Sequence, residues 1–180
     1  MSLAMERTPQ VFFELKEPEI RDFFLVFLNG HYGWEGHVVG EAFNIGGKTD
    51  ILIGYEGKNV FVAECKVWKG PESLSGAIDQ LSKYLTWRDT KTSILLFNKN
   101  KNFSGVLRQI DGIMKSHGCR PYQLKSANLQ KHADLAAPED RTIFGYKFCL
   151  PGDKDRELFL TVMAFDIPNE QEGEDSEHTD

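Results

Sequence analysis

Asp50 opens the apolar stretch Ile51-Leu52-Ile53, and Glu64-Cys65-Lys66 closes another, Val60 to Ala63, with thirteen residues between Asp50 and Glu64. Strand side chains alternate faces, so Val60, Val62, Glu64 and Lys66 share one face while Phe61, Ala63, Cys65 and Val67 share the other. A carboxyl and an amine at the end of a hydrophobic strand are costly to take out of water. The segment Glu56-Gly57-Lys58 has the make-up of a short hairpin loop between the two stretches. In such a hairpin the numbers of facing residues sum to about 114 to 115, which sets Asp50 opposite the Glu64-Cys65 step. Two carboxyls and one amine then converge. A half-solvated Glu64–Lys66 pair at the rim of a sheet, with no task beyond mutual neutralisation, accounts for the second strand alone equally well. It does not account for Asp50.

Two carboxylate oxygens a few ångströms apart suit a hard divalent cation, Mg²⁺ or Mn²⁺, which keeps several waters and so has room for a phosphate oxygen and an attacking water. A nearby Lys orients that water or balances charge growing on the phosphorus centre.

Asp50, Glu64-Cys65-Lys66 and then Gln80 on the next helix resemble the PD-(D/E)XK nuclease superfamily, with its restriction-endonuclease-like fold. The stretches GGKTDILI (46–53) and VFVAECKVWKG (60–70) are most similar to the Holliday-junction-resolvase and Mrr-like branches, and the likeness covers residues 18 to about 98. It departs from the family name at Thr49, where Pro would precede the Asp. The resemblance implies that Asp50, Glu64 and the Cys65 backbone carbonyl hold Mg²⁺ or Mn²⁺, and that Lys66 is the catalytic base or positions the water. By the same likeness Gln80 lies near the metal waters or the nucleic-acid backbone, and Glu19 is the best match to a first-helix Glu carried by many members. Glu19 also suits the first turn of a helix simply as a charge complementing the dipole, and Glu41 is a further carboxylate of ambiguous standing. Lys48, Lys69 and Arg88 are the candidates to meet substrate phosphate, with Trp68, Trp87 and Tyr84 offering either a stacking surface or ordinary packing. The implied activity is Mg²⁺-dependent endonuclease hydrolysis of phosphodiester bonds, in DNA before RNA, with a homodimer as an option because a duplex has two strands to cut. The alternative is a non-catalytic, nuclease-like module that binds nucleic acid or a protein partner.

The elements that must position these residues follow from periodicity. Pro18 precedes Ile20, Phe23, Phe24, Phe27 and Leu28 at helical spacing, which predicts an amphipathic helix over 18–29 ended by Asn29-Gly30. Strands are expected at 37–44, 49–55 and 59–68, a helix at 72–88 after Gly70-Pro71, a buried strand at 93–97 and a helix at 103–116. Residues 119–140 carry little pattern and read as loop, and 142–150 with 157–165 read as a hairpin around PGDKD. The order αβββαβα then ββ defines a mixed α/β domain with one mixed central sheet, helices flanking it and a C-terminal β-hairpin.

The 180 residues suit one domain, 1–167, followed by an acidic tail, 168–180, expected to be solvated and disordered. The net charge of −6 resides in that tail, which holds six acids and no Lys or Arg, so the remaining 167 residues balance at 21 acids and 21 bases. Residues 41–131 carry 14 Lys/Arg against 8 Asp/Glu, so the overall charge does not exclude a polyanionic partner. Cys65, Cys119 and Cys149 are odd in number and far apart, as expected of reduced thiols in a cytoplasmic protein without a zinc site. No signal peptide is visible, and the apolar run Phe23 to Leu28 is too short to span a bilayer, which takes about 20 residues. The five histidines show no ligand spacing. Gly46-Gly47-Lys48-Thr49 is no P-loop, since Ala42 replaces the first required Gly and the segment leads into a strand.

Overall fold

In a computed structural model, the described residues are 2–32, 38–44, 47–56, 58–86, 88–89, 91–117, 119, 122–127 and 142–168; of 2–3, 32, 38–44, 47–48, 55, 58 and 127 only the backbone is described. Three helices open the chain: α1 (Ser2–Arg7), α2 (Pro9–Phe12) and α3 (Glu17–Tyr32). A meander follows, β1 (Val38–Asn44), β2 (Gly47–Tyr55) and β3 (Lys58–Val67), then α4 (Pro71–Tyr84), β4 (Lys91–Asn98) and α5 (Phe103–His117). Three strands complete it: β5 (Gln123–Ala127), β6 (Ile143–Leu150) and β7 (Asp153–Asp166).

The seven strands form one mixed sheet in the order β1-β2-β3-β4-β7-β6-β5. β4 lies at its centre with parallel neighbours on both sides, β3 and β7. A strand so placed must be apolar on both faces, and seven of its eight residues are buried. Its alternation serves two separate cores. Ile94 and Leu96 pack with Leu74, Ile78 and Leu81 of α4 and Val106, Ile110 and Met114 of α5. Leu95 and Phe97 pack on the other side with Met5, Phe12, and Ile20 and Phe24 of α3. The domain is thus a sheet between two helical layers.

The expected α/β class and helix–meander–helix–strand order hold, with informative departures. α3 runs past Asn29-Gly30 to Tyr32, and its buried side is Ile20 and Phe24, leaving Phe23 and Phe27 about half exposed. α4 ends at Tyr84, four residues early, because the Asp89 carboxylate draws Thr86 into a turn by accepting from its N–H (2.6 Å) and hydroxyl (2.7 Å). Part of the stretch expected as loop forms β5, paired with β6; residues 128–141 lie outside those described, as does the acidic tail beyond 168. The C-terminal hairpin is longer than expected and supplies β7, which enters the middle of the sheet beside β4. Among the described residues no helix is long and apolar enough to cross a membrane.

α3 is held to the sheet largely by one aromatic cluster, the Phe24 ring lying 5.6 Å from Phe97 and 5.8 Å from Phe165, which stack on each other at 5.3 Å. Phe24→Ala removes the central contact of that layer and is expected to lower stability by about 3 kcal/mol. The check is the urea denaturation midpoint, which a cost under about 1 kcal/mol would show to be insensitive to this cluster.

Candidate functional site

β3 is longer than the partner that faces it. β2 pairs with β3 only from Ile51 (opposite Ala63) to Tyr55, while its residues 47–49 pair with β1 alone. The fork falls at a bulge: three steps on β2, Thr49 to Leu52, match two on β1, Gly40 to Ala42, so the extra residue lies at Asp50-Ile51. A bulge bends its strand and increases local twist, and here it carries β2 away from β3. Facing residues sum to 113 beside the turn and, past an irregularity at Ile53/Gly54, to 114 through Ile51↔Ala63; one further step of that register sets Asp50 level with Glu64.

The N–H groups of β3 beyond the fork still need acceptors, and carboxylates supply them. Cys65 N–H donates to Asp50 Oδ2 at 2.9 Å, and Val67 N–H donates to Glu17 Oε2 at 2.9 Å. The other side of the strand remains in the sheet, with Trp68 N–H bonded to the Phe97 carbonyl at 2.8 Å. N–H and C=O of one strand residue point the same way, so the Cys65 carbonyl also faces the fork.

Glu17 begins α3. Its second oxygen, Oε1, accepts from Lys66 Nζ at 2.8 Å, so one carboxylate clamps both the amine and the next peptide group. Arg21, one turn further along, sets NH1 3.6 Å from Asp50 Oδ1. Asp50, Glu64, Lys66, Glu17 and Arg21 therefore meet where β2, β3 and the start of α3 come together. Neither Glu17 nor Arg21 stands out in the sequence.

Glu64 is the least comfortable member. Its side chain is 1% exposed, and Oε2 is buried with no hydrogen-bond partner. Burial pushes its carboxyl up to about 9, helped by the charge of Asp50, a hydrogen bond with Asp50 and the charge of Glu17, and opposed by Lys66. Glu64 is thus protonated at neutral pH in the metal-free protein. Lys66 shows the opposite balance: burial would lower its pKa, but the hydrogen bond and charge of Glu17, with the charges of Glu64 and Asp50, outweigh it and leave the ammonium stabilised. In this state Lys66 is a cation and a proton donor.

Other candidates are dispersed. Glu19 Oε2 accepts from Lys16 N–H at 2.5 Å, the reciprocal half of a capping box at the start of α3, and stays exposed. Gln80 is half-buried on α4 and hydrogen-bonds to none of the described residues. Lys69 is exposed just past β3, where Gly70 (φ 120°, open to glycine but strained for other residues) turns the chain into α4. Arg88 adjoins Asp89, which accepts from Asn59 Nδ2 at the start of β3, about 20 Å of strand away from Lys66. The structure does not bring it to the cluster. Trp68 is buried in the core beneath α4, Tyr84 is half-buried, and Trp87 lies outside the described residues, as do the side chains of Glu41 and Lys48. Cys65 faces the α3-side core as expected, its thiol pushed up by burial.

Among the described residues no three His, Cys, Asp or Glu side chains form a metal-binding group. The donors present are two carboxyls and a peptide carbonyl, and the unpartnered Glu64 oxygen beside Asp50 fits a divalent cation, which would satisfy it. No protein-family model matches the chain, and no curated protein or solved structure matches it. What can be said of the site rests on its own geometry.

The Glu64 shift has a pH consequence. Its pKa is higher folded (about 9) than unfolded (4.5), so the stability it contributes is full below about pH 4.5 and is lost as pH rises toward 9. Glu64→Gln carries no such loss. Without divalent metal, the variant is expected to melt with the wild type near about pH 4 and several degrees above it near about pH 8, by thermal denaturation across that range. Parallel pH profiles for the two proteins would contradict the buried carboxyl.

Proposed function

We propose that this protein is a Mg²⁺- or Mn²⁺-dependent nuclease that hydrolyses phosphodiester bonds, in DNA before RNA. The observation that carries the reading is the convergence of Asp50 and Glu64 at the fork where β2 leaves β3, with a buried Glu64 oxygen that has no hydrogen-bond partner among the described residues. A bound divalent cation would supply Lewis-acid stabilisation of a phosphate oxygen and a water acidified toward hydroxide.

The chain's own residues divide the remaining work. Asp50 and Glu64 would hold the cation through carboxylate oxygens, Glu64 in its deprotonated form. Asp50 is pre-set by the Cys65 N–H, which fixes its carboxylate without a protein cation on that oxygen. Lys66, as an ammonium, donates to the attacking water or to phosphate oxygens, and Glu17 holds its Nζ in place. The excess of Lys and Arg over residues 41–131 favours an anionic polymer over the acidic character of the whole chain.

The same ion pair supports a second reading. Lys66 and Glu17 satisfy each other at 2.8 Å, so the cluster also serves as a closed polar brace in a non-catalytic module that binds nucleic acid or a protein partner. Lys66→Ala separates the two. A nuclease loses Mg²⁺-dependent cleavage by about a hundredfold or more while keeping its fold by circular dichroism. The assay is a panel of duplex, branched and single-stranded DNA and of RNA, with and without Mg²⁺ or Mn²⁺. Cleavage surviving the substitution assigns the activity elsewhere, and an inactive wild type across the panel leaves the binding module as the reading.

A further inference from the structure

Resting on that metal-site reading, the surroundings of Asp50 point to a control on cation entry. Asp50 Oδ2 is occupied by the Cys65 N–H at 2.9 Å, which leaves Oδ1 as the oxygen for a cation. Oδ1 already faces a cation, Arg21 NH1 at 3.6 Å. At that separation the contact is ionic with little directional hydrogen bonding, so it holds the guanidinium loosely.

The other edge of the same guanidinium is held more closely. Nε and NH2 of Arg21 donate to Asp22 Oδ1 at 3.0 and 2.8 Å. Asp22 is 62% exposed, against 18% for both Arg21 and Asp50. The guanidinium therefore spans an inner carboxylate and an outer one. A divalent ion at Oδ1 and a guanidinium beside it repel each other strongly in a half-buried site, and Arg21 has a solvent-side partner to fall back on.

We propose that Arg21 is a built-in stand-in cation: it compensates Asp50 in the metal-free protein, competes with the divalent ion for Oδ1, and withdraws to Asp22 when that ion binds. The free divalent concentration at which the site fills is then set by Arg21, a residue that is not itself a ligand. The adjacent unpartnered Glu64 oxygen marks the position the incoming ion would satisfy and that Arg21 leaves unmet.

The test is isothermal titration calorimetry of Mn²⁺ into the full chain at neutral pH. Arg21→Gln is expected to tighten Mn²⁺ binding about tenfold, and Arg21→Lys, which keeps the charge, to remain near the wild type. Lys16→Gln removes an equal charge from an exposed position at the same end of α3 and controls for long-range charge, with an expected change under about twofold. Unchanged or weaker binding by Arg21→Gln, or equal tightening by Lys16→Gln, overturns the proposal. If Arg21→Gln fails to fold, Asp22→Asn reads the balance from the other side: it leaves the guanidinium on Asp50 and weakens Mn²⁺ binding, and unchanged or tighter binding overturns the proposal. Wild-type binding that is lost in Asp50→Asn but untouched by Arg21→Gln removes only the role of Arg21. No Mn²⁺ binding by the wild type removes the metal site and this role with it.

Discussion

The polar cluster follows from a mismatch of strand lengths. β3 continues past the point where β2 bends away, and the peptide N–H groups of Cys65 and Val67 are left facing a gap instead of a neighbouring strand. Burying such groups unpaired costs on the order of 1–3 kcal/mol each, so each recruits an acceptor, Asp50 for one and Glu17 for the other. Both acceptors are acidic, and acids in a half-buried site need cations nearby. Lys66 and Arg21 meet that need. Glu64 receives no such help at Oε2, and burial pushes its carboxyl far above its ordinary titration range.

The cluster sits on rigid parts of the fold. Asp50 and Glu64 are strand residues one step past the last paired residues of a hairpin, Ile51 and Ala63, and Glu17 and Arg21 belong to the first turns of a helix anchored by Ile20 and Phe24 in the core. Sites held by packed elements keep their geometry better than sites held by loops. The helix is therefore a wall of the site as well as a layer of the domain, and looser packing around Phe24 would move two of the five charged groups together.

Much of this was legible in the residue pattern. The short Glu56-Gly57-Lys58 loop and strand alternation, both local properties, set Asp50 near the Glu64-Cys65 step, while the irregularity at Ile53/Gly54 that moves the register from a sum of 113 to 114 has no local signal. The parallel central strand was marked by its continuous apolar run. Glu17 and Arg21 were not legible, because they reach β3 and β2 from 49 and 29 residues away, and the choice between Glu17 and Glu19 turns on which acid caps its own helix. The signal that separates them is backbone satisfaction: once β2 is known to leave β3 at Ile51, two N–H groups require acceptors. The bulge behind that departure has no distinctive sequence at Asp50-Ile51. The buried side of α3 was hard to read because Phe23, Phe24, Phe27 and Leu28 cover too wide an arc, and β5 was hidden by its short, polar composition.

The place of β7 has a consequence for how the chain reaches its folded form. The central strand β4 finds one neighbour, β3, through the α4 crossover, but the other arrives from far along the chain, with Ser93 donating its hydroxyl to the Thr161 carbonyl 68 positions away. Contacts of that span close late, because loop entropy must be met before pairing rewards it. Until residues 153–166 dock, one edge of the most buried strand is open to any passing strand, including that of another copy. During synthesis the strand that ends up most deeply buried therefore keeps one edge unpaired, and the interval ends only when residues 153–166 have left the ribosome.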